Sequence, residues 1–159
     1  MSGEFGELSA YLLSRAMWDP YMSDDEMNSY KEDFLRGYYG KGWREIEKFI
    51  DFTLEHSEGR HMSIWQHPFE IIPRETYEKH ESEIDSWWDS AYASADEKEK
   101  ERIDRSRMQW DAIKLFMHPN EVDGSKFYDK MKKYAVKWNE WRELKTAPDF
   151  KLPPTEWLK

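Results

Sequence analysis

Residues 23–40, SDDEMNSYKEDFLRGYYG, decide the fold class of this chain. Ser23 and Glu26 have the spacing of a capping box, in which the serine hydroxyl caps the backbone amide three residues on and the glutamate reaches back. Apolar and aromatic side chains then recur every three or four residues up to Gly40, a typical helix stop. They are Met27, Tyr30, Phe34 and Tyr38. This stretch therefore predicts an amphipathic helix with a defined start and end.

The same helical period recurs along the chain, whereas the period-2 alternation of strands is hard to find. Further helices are predicted over residues 4–18, 43–59, 73–93, 94 or 96 to 117, and 125–144. In the first, Leu8, Leu12 and either Arg15 or Ala16 share one stripe. In the third, the side chains predicted to face inward are Ile46, Phe49, Ile50, Thr53 and Leu54.

We therefore predict an all-α fold, with about six helices packed as an irregular bundle in a single domain over residues 1–159. Its helical core spans residues 4–145. An apolar loop is predicted at residues 60–72, and an extended, proline-containing tail at residues 146–159.

The composition excludes several classes of protein. The chain has 159 residues, 33 of them acidic and 24 basic, which gives a formal net charge of −9. Nucleic-acid binding needs clustered lysine and arginine, so no nucleic-acid partner is predicted. No apolar run is long enough to span a membrane, no signal peptide is recognisable, and the absence of cysteine excludes disulfides and thiolate metal sites. No compartment is predicted, since a parent protein can be exported.

The sequence contains no clear catalytic or metal-binding pattern. His56, His61 and His67 lie close together in the chain, but their spacing matches no zinc motif. The acidic pair Asp24 and Asp25 stands where a helix start favours negative charge, so we interpret it as capping and not as a glycosidase pair. The glycines at Gly40 and Gly42 are better explained by a helix–helix turn than by a phosphate loop. No catalytic residue, metal or cofactor is predicted.

The nine tryptophans are the remaining candidates for ligand contact. Four of them fall on helical stripes and are predicted to be core residues: Trp43, Trp87, Trp110 and Trp138. Trp65, in the predicted loop, and Trp88, beside the more buried Trp87, are less constrained by that period. Exposed aromatic rings can stack on sugars, so Trp65 and Trp88 are the candidate contacts for an oligosaccharide or a protein partner.

Three segments of the chain together resemble a known family. Residues 4–13, EFGELSAYLL, lead into Trp18-Asp19-Pro20. Residues 33–40, DFLRGYYG, close the capped acidic helix, and residues 91–95, AYASA, precede a further helix. This arrangement resembles the C-terminal helical region of large bacterial glycoside-hydrolase-like proteins, a domain family of unknown function. The resemblance covers residues 4–117.

The resemblance implies a non-catalytic accessory domain of a carbohydrate-active protein. In that family a TIM-type barrel, similar to α-glucuronidase and hexosaminidase barrels, precedes the helices. The domain would brace this upstream barrel or form a homo-oligomer contact, with the first helix and the turn at Trp18, Asp19 and Pro20 nearest the barrel. On physical grounds alone, Trp18 is predicted to bury apolar area and Pro20 to fix the turn, and Tyr38 and Tyr39 to close a helix against Gly40.

Two other functions remain open. The chain could be a stand-alone helical protein-interaction domain with no enzyme attached. It could also be a carbohydrate-binding module that uses Trp65 and Trp88.

Overall fold

The computed structural model describes residues 5–57, 60, 68–119, 121 and 124–134. These residues form seven α-helices and one 3-10 turn, and they contain no β-strand. The helices are α1 (Gly6–Trp18), α2 (Asp24–Tyr39), α3 (Trp43–Ser57), α4 (Pro68–Ile71), α5 (Arg74–Ser94), α6 (Glu97–Met117) and α7 (Gly124–Lys133), with the 3-10 turn at Gly40–Gly42. The predicted all-α class is confirmed.

Each predicted helix has a counterpart among the described helices. The sequence prediction missed the single helical turn α4, which lies inside the stretch predicted as a loop. Trp65, Trp138 and the tail at residues 146–159 lie outside the described residues.

The chain divides into two compact units. The first comprises Met1–Phe52 and Glu83–Ser106, and the second comprises Thr53–Ser82 and Arg107–Lys159. Each unit has its own buried apolar side chains. The domain assignment over residues 1–159 stays a prediction.

The first unit has an aromatic core. In α5 the residues Ile84, Trp88 and Ala91 follow one another at helical spacing, and all three are fully buried. The ring of Phe49, on α3, lies 5.2 Å from the Trp88 ring between centroids. Burying a side chain of this size stabilises the fold by about 1.5–3 kcal/mol. The other fully buried members are Leu35, Tyr39, Ile46 and Ile103.

The prediction that Leu54 faces inward is wrong, because its side chain is 60% exposed. Phe52 is buried instead, and its ring lies 6.3 Å from that of Trp87. Phe52 and Leu54 are separated by about 200° around the helix, so a buried Phe52 turns Leu54 towards solvent.

The second unit has a separate core cluster, built from α6 and α7. Its buried members are Met108, Leu115, Phe116, Phe127 and Met131. Phe69, from α4, packs against this cluster. The predicted apolar stripe of the last helix, from Phe127 to Met131 and Tyr134, is therefore the side that packs on α6.

Candidate functional site

Trp88 is not available to a ligand. Its side chain is fully buried, and its predicted role as an exposed contact is wrong. The physical reason is the spacing of Ile84, Trp88 and Ala91, which puts Trp88 at the centre of the buried side of α5. Its neighbour Trp87 is only half-buried, the reverse of what the sequence predicted. Trp65, the other candidate, lies outside the described residues.

Trp18 is placed in solvent, although it was expected to bury apolar area. It is the last residue of α1 and is 91% exposed. Leu8 is buried, and Leu12 and Ala16 are half-buried on the same side of the helix. This exposure does not follow from the helical spacing, because Trp18 lies seven residues after Tyr11 and so points roughly the same way around α1.

The turn after α1 is built by Asp19 and Pro20. Asp19 leaves the helical conformation, as expected for a residue before proline. Its Oδ1 accepts a hydrogen bond of 3.1 Å from the backbone N–H of Tyr21. This hydrogen bond fixes the turn. Tyr21, three residues after Trp18, is 94% exposed.

Four large apolar side chains are exposed at this end of α1. Leu13 is 61% exposed and Met17 is 76% exposed, and the two are neighbours on the helix surface because they are four residues apart. Together with Trp18 and Tyr21 they form a group that we call the apolar patch. It lies within nine residues of the chain, from Leu13 to Tyr21.

The side of α1 opposite Leu13 and Met17 packs on α2 through aromatic rings. The ring of Tyr11 lies 5.3 Å from that of Phe34 and 6.3 Å from that of Tyr30, between centroids. The Arg15 guanidinium lies over both tyrosine rings, 5.1 Å from the centroid of Tyr11 and 4.8 Å from that of Tyr30. Its Nη2 also donates to the Tyr11 hydroxyl. Helix α1 is therefore apolar on two sides, of which only one is covered.

Tyr38 and Tyr39 lie in packing positions at the end of α2. The Tyr39 side chain is buried, and its hydroxyl shares a 2.8 Å hydrogen bond with the Ser106 hydroxyl. Burial raises the pKa of Tyr39 far above its ordinary value. The Tyr38 ring stacks on that of Phe34 at 5.1 Å, and Arg102 covers it while donating to the Tyr38 carbonyl.

Gly40 ends α2 with φ of 58°, in the region that favours glycine. The next helix contact also depends on a glycine, because a β-carbon on Gly42 would lie 2.7 Å from the carbonyl oxygen of Ala91. The turn predicted for Gly40 and Gly42 is therefore a helix–helix connection.

Acidic side chains follow the apolar patch along the chain. The predicted capping box is present: the Glu26 backbone N–H donates to the Ser23 hydroxyl, and the Glu26 carboxylate accepts from the Ser23 backbone N–H. That backbone hydrogen bond lowers the pKa of Glu26. Asp24 and Asp25 are exposed in the first turn of α2, where they complement the helix dipole.

The polar contacts of the second unit join its helices. Lys130 on α7 donates to Asp111 on α6 at 2.8 Å. His118, directly after α6, is 2.8 Å from the Glu81 carboxylate on α5, between Nε2 and Oε2. The Arg74 guanidinium binds the carbonyl of Met117.

The described ranges contain neither a metal-binding cluster nor a helix that could span a membrane. No group of three histidine or acidic side chains there could hold a metal ion. His56 and His80 approach each other with ring centroids 5.9 Å apart, and His61 and His67 lie outside those ranges. No described helix combines the length and apolar character needed to cross a membrane.

No protein-family model, curated protein or solved structure matches this chain. The apolar patch is thus the candidate site that the geometry of the chain itself offers. The sequence contained a signal for it, because Leu12 and Leu13 are adjacent and cannot both face the same neighbour.

Proposed function

We propose that this chain is a non-catalytic helical accessory domain of a carbohydrate-active, glycoside-hydrolase-like protein, and that it attaches to the rest of that protein through the apolar patch. The observation that carries this proposal is the exposure of Leu13, Met17, Trp18 and Tyr21 at one end of α1. Each of these side chains would gain about 1.5–3 kcal/mol if it were fully covered by a partner surface.

The character of α1 supports a covered position in the complete assembly. A helix with a single apolar stripe lies at a protein surface, whereas a helix that is apolar on opposite sides is typical of a buried one. Leu8 on the inner side and Met17 on the outer side give α1 this second character. The four side chains are exposed within nine residues of the chain, and clustered exposed apolar groups mark interaction surfaces more often than isolated ones do.

That the chain is part of a larger protein is inferred from the family resemblance. Residues 4–13 and the Trp18-Asp19-Pro20 segment belong to the stretch that follows the barrel in the family that this chain resembles. The apolar patch lies in the same stretch, which is where a contact with the preceding barrel is expected. The patch would then be an intramolecular contact, and the domain would brace the barrel.

A stand-alone interaction domain is the second candidate, and the same patch favours it. A carbohydrate-binding module has weaker support. Trp18 and Tyr21 are exposed rings, but Leu13 and Met17 beside them are aliphatic and offer a sugar no hydrogen bond.

Sequencing the genomic DNA around the coding region tests the attachment to a barrel. An in-frame barrel upstream of codon 1 is expected. A stop codon and a ribosome-binding site directly before codon 1 would overturn the accessory-domain proposal and leave the stand-alone domain.

Cysteine labelling tests the role of the patch, because the chain contains no cysteine of its own. Met17→Cys places a thiol in the patch, and Leu54→Cys, at a side chain that is also well exposed, is the matched control. Both should react rapidly with a maleimide in the isolated chain. In the complete protein, Met17→Cys should become protected while Leu54→Cys stays reactive. Equal reactivity of the two thiols in the complete protein would contradict the proposed contact.

A further inference from the structure

Building on the proposed function, we infer that the surface which covers the apolar patch has an apolar centre bordered by lysine or arginine side chains. The observation behind this inference is the distribution of charge around the patch. Asp19 lies in the turn between Trp18 and Tyr21, and it is exposed. Asp24 and Asp25 follow Tyr21 within four residues and are exposed as well. These three exposed carboxylates therefore lie within four residues of Trp18 or Tyr21 in the chain, and we call them the acidic border of the patch.

The stretch of chain around this border carries no basic residue. Between residues 16 and 30 there are four acidic residues and no basic one. The positive end of the α2 dipole offsets only about half a unit of charge. A net negative border therefore remains beside the exposed apolar side chains.

The two basic residues that flank this stretch are engaged elsewhere. The Arg15 guanidinium lies over the rings of Tyr11 and Tyr30, on the inner side of α1. Lys31 is held by two carboxylates of α3, 3.3 Å from Glu47 and 3.2 Å from Asp51. Arg15 is thus engaged by two aromatic rings and Lys31 by two carboxylates.

A second copy of this chain fits the patch poorly. A symmetric dimer would place the same surface on both sides, so that the acidic borders would face or adjoin each other. Like charges brought together at an interface are unfavourable, whereas opposite charges speed association and fix its orientation. The charge pattern favours a different surface, with basic residues outside an apolar centre.

Two synthetic amphipathic helical peptides provide the probe. They share one leucine-rich face and differ only in the flanking residues, which are lysine in one and glutamate in the other. Methyl-labelled methionine NMR of the full chain reports on binding, with Met17 as the signal in the patch. Met131, buried in the core of the second unit, is the internal reference.

The lysine peptide should shift the Met17 signal and leave Met131 unchanged. Raising the salt concentration from about 50 to about 500 mM should weaken this binding about tenfold, since the contributing charges are exposed. The triple variant Asp19→Asn/Asp24→Asn/Asp25→Asn should weaken it to a similar degree. The matched triple variant Glu101→Gln/Glu121→Gln/Asp129→Asn, at exposed acids elsewhere, should bind as the unchanged chain does.

Several outcomes would overturn the inference. Equal shifts with the lysine and glutamate peptides would show that the partner surface needs no basic border. The proposed docking through the patch would still stand. The absence of any shift with either peptide would contradict the inference, and so would self-association through Met17 without peptide. A Met17 shift with xylohexaose in place of a peptide would assign the patch to a sugar.

Discussion

The carboxylate of Glu99 lies beside the Cα of Gly40, in the space where any other residue would place its β-carbon. The same carboxylate accepts a hydrogen bond of 2.9 Å from the backbone N–H of Asp96, whose own Oδ1 caps the backbone N–H of Glu99 at 2.9 Å. One acidic side chain thus caps the start of α6 and closes against the end of α2. Only a glycine at position 40 leaves room for it.

Replacing Gly40 should destabilise the first unit. Gly40→Ala would put a β-carbon at φ of 58° and displace Glu99 from its capping position. We expect a loss of about 2–4 kcal/mol in the free energy of unfolding, measured by urea denaturation. Gly37→Ala is the control, because a β-carbon there meets nothing within 4 Å, and it should stabilise α2 by about 0.5–1 kcal/mol. Equal effects of the two substitutions would contradict this account.

Gly42 should also be intolerant of a side chain, for a steric reason alone. A β-carbon on Gly42 would lie 2.7 Å from the carbonyl oxygen and 2.9 Å from the Cα of Ala91. Backbone atoms cannot move aside as a side chain can, so Gly42→Ala should cost about 1–3 kcal/mol. Thermal unfolding of this variant beside Gly6→Ala, where the space is open, checks the expectation. A melting temperature equal to that of the unchanged chain would show that α5 can shift away and make room for the β-carbon.

The hydrogen bond between Tyr39 and Ser106 should couple the two residues energetically. Tyr39→Phe and Ser106→Ala are each expected to cost about 1–2 kcal/mol, since each leaves a buried hydroxyl without this partner. The double variant should lose less than the sum of the single losses, by about 1 kcal/mol. Tyr21→Phe, at an exposed ring, is a control that should change nothing. Strict additivity of the two losses would mean that the bond contributes no stability.

Stability should fall in alkaline solution because of Tyr39. Burial raises its pKa in the folded state, so the folded chain retains the phenolic proton at a pH where the unfolded chain loses it. The contribution of Tyr39 is therefore fully present below about pH 10, and above that pH it is lost at up to about 1.4 kcal/mol per pH unit. Lys31 adds to the same trend, since its pKa is also raised, although its partial exposure makes its share small.

Denaturation curves at pH 9, 10 and 11 measure this effect, because these values span the ordinary tyrosine pKa of about 10. Tyr39→Phe should be less stable than the unchanged chain at pH 9 but show a flatter dependence above pH 10. The same slope in both proteins would assign the alkaline loss to other groups.

The apolar patch should contribute little to the stability of the isolated chain. Leu13→Ser and Met17→Ser replace exposed side chains, and each is expected to change the free energy of unfolding by no more than about 0.5 kcal/mol. Leu8→Ser, on the buried side of the same helix, should cost about 3 kcal/mol. Binding of an apolar dye should fall in the Leu13 and Met17 variants. If the Leu13 and Met17 variants lost as much free energy of unfolding as Leu8→Ser, the patch would be part of the core.

The helices could be predicted because their signals are local. The capping box of Ser23 and Glu26, the proline at position 20 and the spacing from Met27 to Tyr38 act within a few residues of each other. They therefore appear in the sequence before any tertiary contact is known. The helix boundaries of the structure agree with them.

The direction of individual tryptophans could not be predicted in the same way. Trp87 and Trp88 differ by only about 100° around α5, and which of them is buried depends on where Phe49 lies. The exposure of Trp18 could not be predicted from helical spacing either, because Trp18 lies seven residues after Tyr11 and so points to the side of α1 that packs on α2. In the isolated structure it is exposed, so the prediction failed at the proposed docking surface.

The division of the chain also limits how it can be dissected. The boundaries between the two units fall inside helices α3, α5 and α6. They lie at Phe52–Thr53, Ser82–Glu83 and Ser106–Arg107. Neither unit is a continuous stretch of sequence, so no single truncation or protease cut releases one of them whole. A gene fragment that ends at any of these junctions encodes a helix cut in its interior. A version of this protein that keeps one unit alone would therefore have to join that unit's two segments through a new linker.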